Sequence, residues 1–211
     1  MLPPAEALLA SYFDPSGTFA GETFDGFGVN DPNRVNADDL LAVTMLDVSI
    51  RPRALRRMLG AEADSLTSAF TALPGDLDLW DADRGVLDAV DAVDEMLRTF
   101  DGVGPVIASK LLSRKRPRLV PVIDSVVLTE LGQPSDAYKA TRRAFAGWLR
   151  DDAMRARLAE LAAPLPSGVS PIRVLDVVLW MRGSGSEAAR EVRRKNGLPG
   201  HGRADALLPG G

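Results

Sequence analysis

Two features of this chain are suited to chemistry: the triplet Gly102-Val103-Gly104 and, 22 positions after Gly102, the carboxylate of Asp124. Two glycines around one apolar residue let the backbone turn sharply. The amide donors at the start of the next helix are then unobstructed by side chains, and such a turn is a cradle for phosphate. Lys110, Arg114, Lys115, Arg116 and Arg118 follow with no acid between Gly102 and Ile123, so the same stretch predicts a local basic face. Asp124 stands after Pro121-Val122-Ile123, where a new helical pattern begins. An aspartate there can act on a reacting group or cap its own helix, and the residue types leave both open.

Whole-chain composition narrows the chemistry further. The chain has 211 residues, no cysteine and a single histidine, His201. Disulfides, thiolate nucleophiles, iron-sulfur clusters and cysteine-bound zinc are excluded, and no cofactor or metal is implied. The formal charge of −4 runs against general polyanion binding, but the charge is segregated. Seven aspartates from Asp76 to Asp94 are opposed only by Arg84, and the periodicity predicts that Asp88, Asp91 and Asp94 form a solvated face. No apolar run approaches the roughly 20 residues needed to cross a bilayer, and the first residues lack a basic leader. The expectation is a cytoplasmic protein without a membrane partner.

Helical periodicity dominates and no long alternating run appears, so the pattern predicts an all-α protein. Helices are expected at about 2–13, from the Asn36 cap to about 46, at 52–59, 61–73, 84–100, 105–113, 124–132, 135–150, 151–162 and 171–181. Residues 14–36 read as an irregular arm pinned to the core by Phe19, Phe24 and Phe27. Trp148 and Trp180 read as core residues. Residues 1–182 are expected to form one compact unit, with room for two helical lobes. From 183 to 211 the sequence predicts a flexible, basic, Gly-rich tail.

The succession of helix, Gly102-Val103-Gly104, helix, proline-containing loop and Asp124 resembles the helix-hairpin-helix, Gly/Pro-rich loop and aspartate superfamily of DNA glycosylases. Met96, Leu97 and Phe100 precede the turn, Ala108 stands where relatives carry a small residue, and Val120-Pro121-Val122 leads to the aspartate. The resemblance implies a two-lobed fold with the helix-hairpin-helix near residues 86–113. It also implies double-stranded DNA as partner, with Gly102, Val103, Gly104 and Val106 on a phosphate and Lys110, Arg114, Lys115, Arg116 and Arg118 adding attraction. Asp124 would face the sugar of a base turned out of the stack. Bifunctional members carry a lysine two residues after the second glycine, where this chain has Val106. An active protein would therefore be a metal-independent, monofunctional N-glycosylase. The competing expectation is a noncatalytic module that binds nucleic acid or a protein.

Overall fold

A computed structural model describes residues 5–198, and among them the fold contains helices and no strand. The helices are α1 (Ala5–Tyr12), α2 (Ala37–Thr44), α3 (Pro52–Arg56), α4 (Ala63–Thr71), α5 (Arg84–Leu97), α6 (Pro105–Lys115), α7 (Ser125–Glu130), α8 (Tyr138–Trp148), α9 (Asp152–Ala162), α10 (Pro171–Gly183) and α11 (Glu187–Lys195). Their starts follow from local chemistry. Asn36 and Asp39 form a reciprocal capping box on α2, Ser170 caps α10, and Pro52, Pro105 and Pro171 open helices where a missing N–H costs nothing.

One hydrophobic core runs through the chain from Leu8 to Ala189. A second small cluster of Ile123, Leu128 and Tyr138 sits against Val106. α10 is a hub that packs on α1, α7, α9 and α11, while α6 packs on α2 and α5. Every residue of α6 from Ile107 to Lys115 is buried, including its charged ones.

Two expectations are corrected here. The aspartates of α5 are not all solvated: Asp91 and Asp94 are buried against Arg142 of α8, which is itself fully buried. Arg142 donates to Asp91, and Arg143 reaches both Asp91 and the exposed Asp88. A helical wheel gives the stripe that carries these acids but cannot show that a basic helix covers it. Burial raises the Asp94 carboxyl above its ordinary value, with Arg142 pulling the other way. The predicted flexible tail is likewise ordered up to residue 198. Ser186 caps α11, and the buried Arg193 donates to the carbonyls of Met181 and Ser184 at the end of α10. The rest of that expectation, together with His201, lies outside the described residues.

Breaking the α5–α8 ion pairs leaves carboxylates buried without their cation, which is costly in a low-dielectric interior. Arg142→Leu is expected to lower unfolding free energy by about 3–5 kcal/mol, read from urea denaturation.

Candidate functional site: hairpin and cleft

The chain between α5 and α6 folds as the tight turn the glycines suggest. Gly102 adopts φ +74, so the backbone favours glycine there, and the exposed Arg51 side chain lies over it with its Cδ 2.6 Å from where a Cβ would stand. Val103 spends its N–H on the carbonyl of Phe100 at 3.0 Å. Gly104 is the N-cap of α6 in extended geometry with no side-chain cap, and a Cβ there would meet nothing within 4 Å. The N–H groups of Val106 and Ile107 thus have no acceptor within the helix, and they point along the positive end of its dipole.

The basic residues after the hairpin do not form a face. Arg114, Lys115 and Arg116 are buried, and they bind the irregular arm and its surroundings from inside. Arg114 donates to the carbonyls of Phe24 and Asp25 at 2.8 Å and to that of Phe27. Lys115 donates to Asp39 at 2.5 Å, to the carbonyl of Arg34 at 2.8 Å and to Asn30 at 3.0 Å. Arg116 reaches the carbonyls of Pro32, Phe70 and Leu73. Arg118 is exposed but paired bidentately with Asp78. The sequence shows a run of charge; the structure converts it into a set of hydrogen-bond donors for an arm with few backbone partners of its own.

Lys110 has a different setting. It lines a cleft of about 690 Å³ together with Val106, Asp124, Arg173, Asp176 and Trp180. That volume lies within the roughly 300–1,000 Å³ typical of small-ligand sites. Its Nζ donates to the carbonyl of Leu46 at 2.7 Å and stands 3.9 Å from Oδ2 of Asp124. Burial pushes the Lys110 ammonium below its ordinary value, with Asp124 the main opposing influence.

Asp124 reaches the cleft through a buried extended segment whose polar groups are satisfied. Val122 N–H donates to Asp176 and Ile123 N–H to the Ser109 hydroxyl, both at 2.9 Å. Oδ1 of Asp124 then accepts from the N–H groups of Val126 and Val127 at 3.0 Å, capping α7. Oδ2 takes no part in that cap and faces Lys110. The cap open in the sequence is made by one oxygen, and the other is left facing Lys110 and the cleft.

The opposite wall is aromatic. Tyr12 stacks on Phe19 at 5.5 Å, and Trp180 meets both rings edge-on. Phe19 therefore does anchor the arm, and Phe24 is fully buried, as expected of core aromatics. Trp180 is half-buried and belongs to the cleft as well as the core. In the cleft lining Arg173 has a partner on each guanidinium nitrogen: Asp25 at 3.0 Å, Asp176 at 2.5 Å and the Tyr12 hydroxyl at 3.0 Å. Burial pushes the Asp176 carboxyl upward against the pull of Arg173. Residues Ser184 to Ser186, expected in the flexible tail, close one side.

The cations that do border the hairpin come from elsewhere in the chain and were not among the expected site residues. Arg51 lies over Gly102 and pairs with Asp101 at 3.2 Å, while Arg57 packs over Phe100 and donates to the carbonyl of Thr99. A signal was present: Arg51-Pro-Arg-Ala-Leu-Arg-Arg holds four arginines in seven residues.

These elements define an all-helical protein with an open glycine hairpin beside a cleft that holds a lysine–aspartate pair. The chain belongs to a family of unknown function, DUF6308, whose profile matches residues 5–183. Neither a curated protein nor a solved structure matches it significantly.

The Lys110–Asp124 pairing has a direct spectroscopic consequence. By NMR of side-chain Nζ and Cε resonances, Lys110 is expected to titrate below the exposed lysines. Asp124→Asn removes the charge that favours the ammonium and lowers the titration further.

Proposed function

We propose that this protein binds double-stranded DNA through the hairpin and cleaves the N-glycosidic bond of a base turned out into the cleft. The observation that carries the proposal is the division of labour on Asp124: one oxygen holds the helix cap while the other faces a cleft of ligand size. Cleavage of an N-glycosidic bond builds positive charge on the sugar. A carboxylate fixed by two backbone donors is preorganised to stabilise that charge or to orient the attacking water. The aromatic wall of Phe19 and Trp180 offers apolar surface to an unstacked base. The free N–H groups at the start of α6 suit one backbone phosphate, which would place the strand without reading sequence. Val106, at the position of the lyase lysine in bifunctional members of the superfamily the sequence resembles, supplies no amine there, and the Lys110 amine in the cleft is held by the Leu46 carbonyl and Asp124, so the reaction proposed is hydrolysis.

A noncatalytic phosphate-binding module is the second reading, favoured by the same pair of capping bonds on Asp124 and by the ammonium 3.9 Å from its free oxygen. Two measurements divide the readings. Base release from a panel of duplexes with damaged or modified bases is expected to fall at least about a hundredfold in Asp124→Asn, which retains the cap. Release that persists in this variant removes Asp124 from the chemistry, and duplex binding without release favours the module.

The hairpin is tested by Gly104→Asp. The site is extended and unobstructed, so aspartate can cap α6 and raise stability by a few tenths of a kcal/mol. Its charge occupies the place of the phosphate, and duplex binding is expected to be lost while the melting temperature holds or rises.

A further inference from the structure

Of the cations assigned to DNA by the sequence, Arg114, Lys115 and Arg116 are consumed inside the molecule, Lys110 lines the cleft and Arg118 is paired with Asp78, which leaves open what attracts the backbone outside. The segment from Arg51 to Arg57 is fastened to the hairpin at both ends. Arg51 covers Gly102 and pairs with Asp101, and Arg57 sits on Phe100 with its ring-facing guanidinium 4.6 Å from the centroid. α3, which lies between these two anchors, is therefore held alongside the hairpin. Its Ala54 is buried together with Met58 one turn on, and Arg53 and Arg56 are exposed on the outer side.

Arg53 and Arg56 take part in no ion pair among the described residues, unlike Arg118, Arg143, Arg155 and Arg157, which are all engaged. The Arg51–Asp101 pair is itself solvent-exposed, with side chains 65% and 41% accessible, so water screens it and a phosphate can exchange for the carboxylate. Arg57 is different, since Glu62 at 2.5 Å and the Thr99 carbonyl fix it as a support.

We propose that Arg51, Arg53 and Arg56 form the electrostatic binding face of this protein for the phosphate backbone of double-stranded DNA, extending the hold on the strand outward from the hairpin. The proposal rests on the reading of the hairpin as a phosphate site and names the residues that give it reach. Arginine suits the task because its planar fork meets phosphate bidentately and keeps its charge at all relevant pH. Arg34, Arg150 and Arg190 are exposed without an ion pair as well, but Arg51, Arg53 and Arg56 lie on the segment anchored to the hairpin, so an acidic chain keeps a local cationic face there for a polyanionic partner.

The test is binding of a short fluorescent duplex across a salt series, with the whole chain and with Arg51→Gln, Arg53→Gln, Arg56→Gln and their triple combination. Each arginine–phosphate pair removed is expected to reduce the slope of log affinity against log salt by about one and to weaken binding several-fold. Arg84→Gln is the control. That residue is exposed at the far end of α5, about 20 Å from Arg98 along the helix, and its removal should leave the slope unchanged. A triple variant with the wild-type slope overturns the proposal, and if Gly104→Asp still abolishes binding the hairpin reading survives it. If the arginine variants weaken binding while Gly104→Asp does not, the arginine face stands and the hairpin reading falls. No binding of wild type at low salt overturns both. Binding to vesicles containing phosphatidylserine but not to the duplex replaces nucleic acid with an anionic membrane surface and overturns the partner named here.

Discussion

The rest of the structure depends on how one buried helix satisfies its own charges. α6 carries Lys110, Arg114 and Lys115, with Arg116 at its end, into an interior where an isolated cation is prohibitively expensive. Only Asp39 is directly opposed to Arg114 and Lys115, at 3.3 Å and 2.5 Å. Most of the other donors go to backbone carbonyls, with Asn30 and Asn33 accepting from Lys115 and Arg116 through their side chains. Those carbonyls belong largely to the irregular arm, whose backbone would otherwise be unpaired near the core. The helix and the arm thus solve each other's problem. Asp39 joins both to α2, because its second oxygen also accepts the Asn36 N–H in the capping box at 3.0 Å.

This arrangement sets the site. The hairpin opens α6, Lys110 lies one and a half turns further along, and the cationic end holds the arm that carries Phe19 to the cleft wall. Along a single rigid helix the rise from Pro105 to Lys110 is about 7.5 Å. The turn and the cleft therefore keep a fixed separation without help from loops. Burial of α6 on all sides is what makes that separation dependable, since a surface helix would leave Lys110 free to sample water.

Most helices were legible in the sequence because their ends are chemically marked. Asn36, Ser170, Pro52, Pro105 and Pro171 start helices through local interactions, which a linear sequence records well. Charge was read less well, since its meaning depends on burial. The same arginine can face solvent or tie a carbonyl, and nothing local to Arg114 or Arg116 distinguishes the two. Asp91 and Asp94 were misread for the same reason, their partner Arg142 being about 50 residues away. α11 was missed because Arg193 and its neighbours suggested a solvated end, whereas the end of α10 supplies the carbonyls that Arg193 needs. The cleft itself was only partly visible: Asp124 stood out, but Trp180 and Ser184 reach it through tertiary packing.

Asp124 shows why a structural role and a chemical one need not compete. A carboxylate that caps a helix through both oxygens has neither oxygen given over to the cleft, while one held by nothing can rotate and is poorly placed for catalysis. Here two backbone N–H groups hold Oδ1, and the carboxylate is covalently planar, so Oδ2 is oriented as a result. The helix that receives the cap fixes the direction from which charge is presented. Lys110 then acts on the free oxygen alone, with its own Nζ restrained by the Leu46 carbonyl at 2.7 Å. Reaction at the cleft would draw on an orientation already set during folding. The capping bonds are therefore common to both readings of the site, and they do not by themselves divide a chemical role from a structural one.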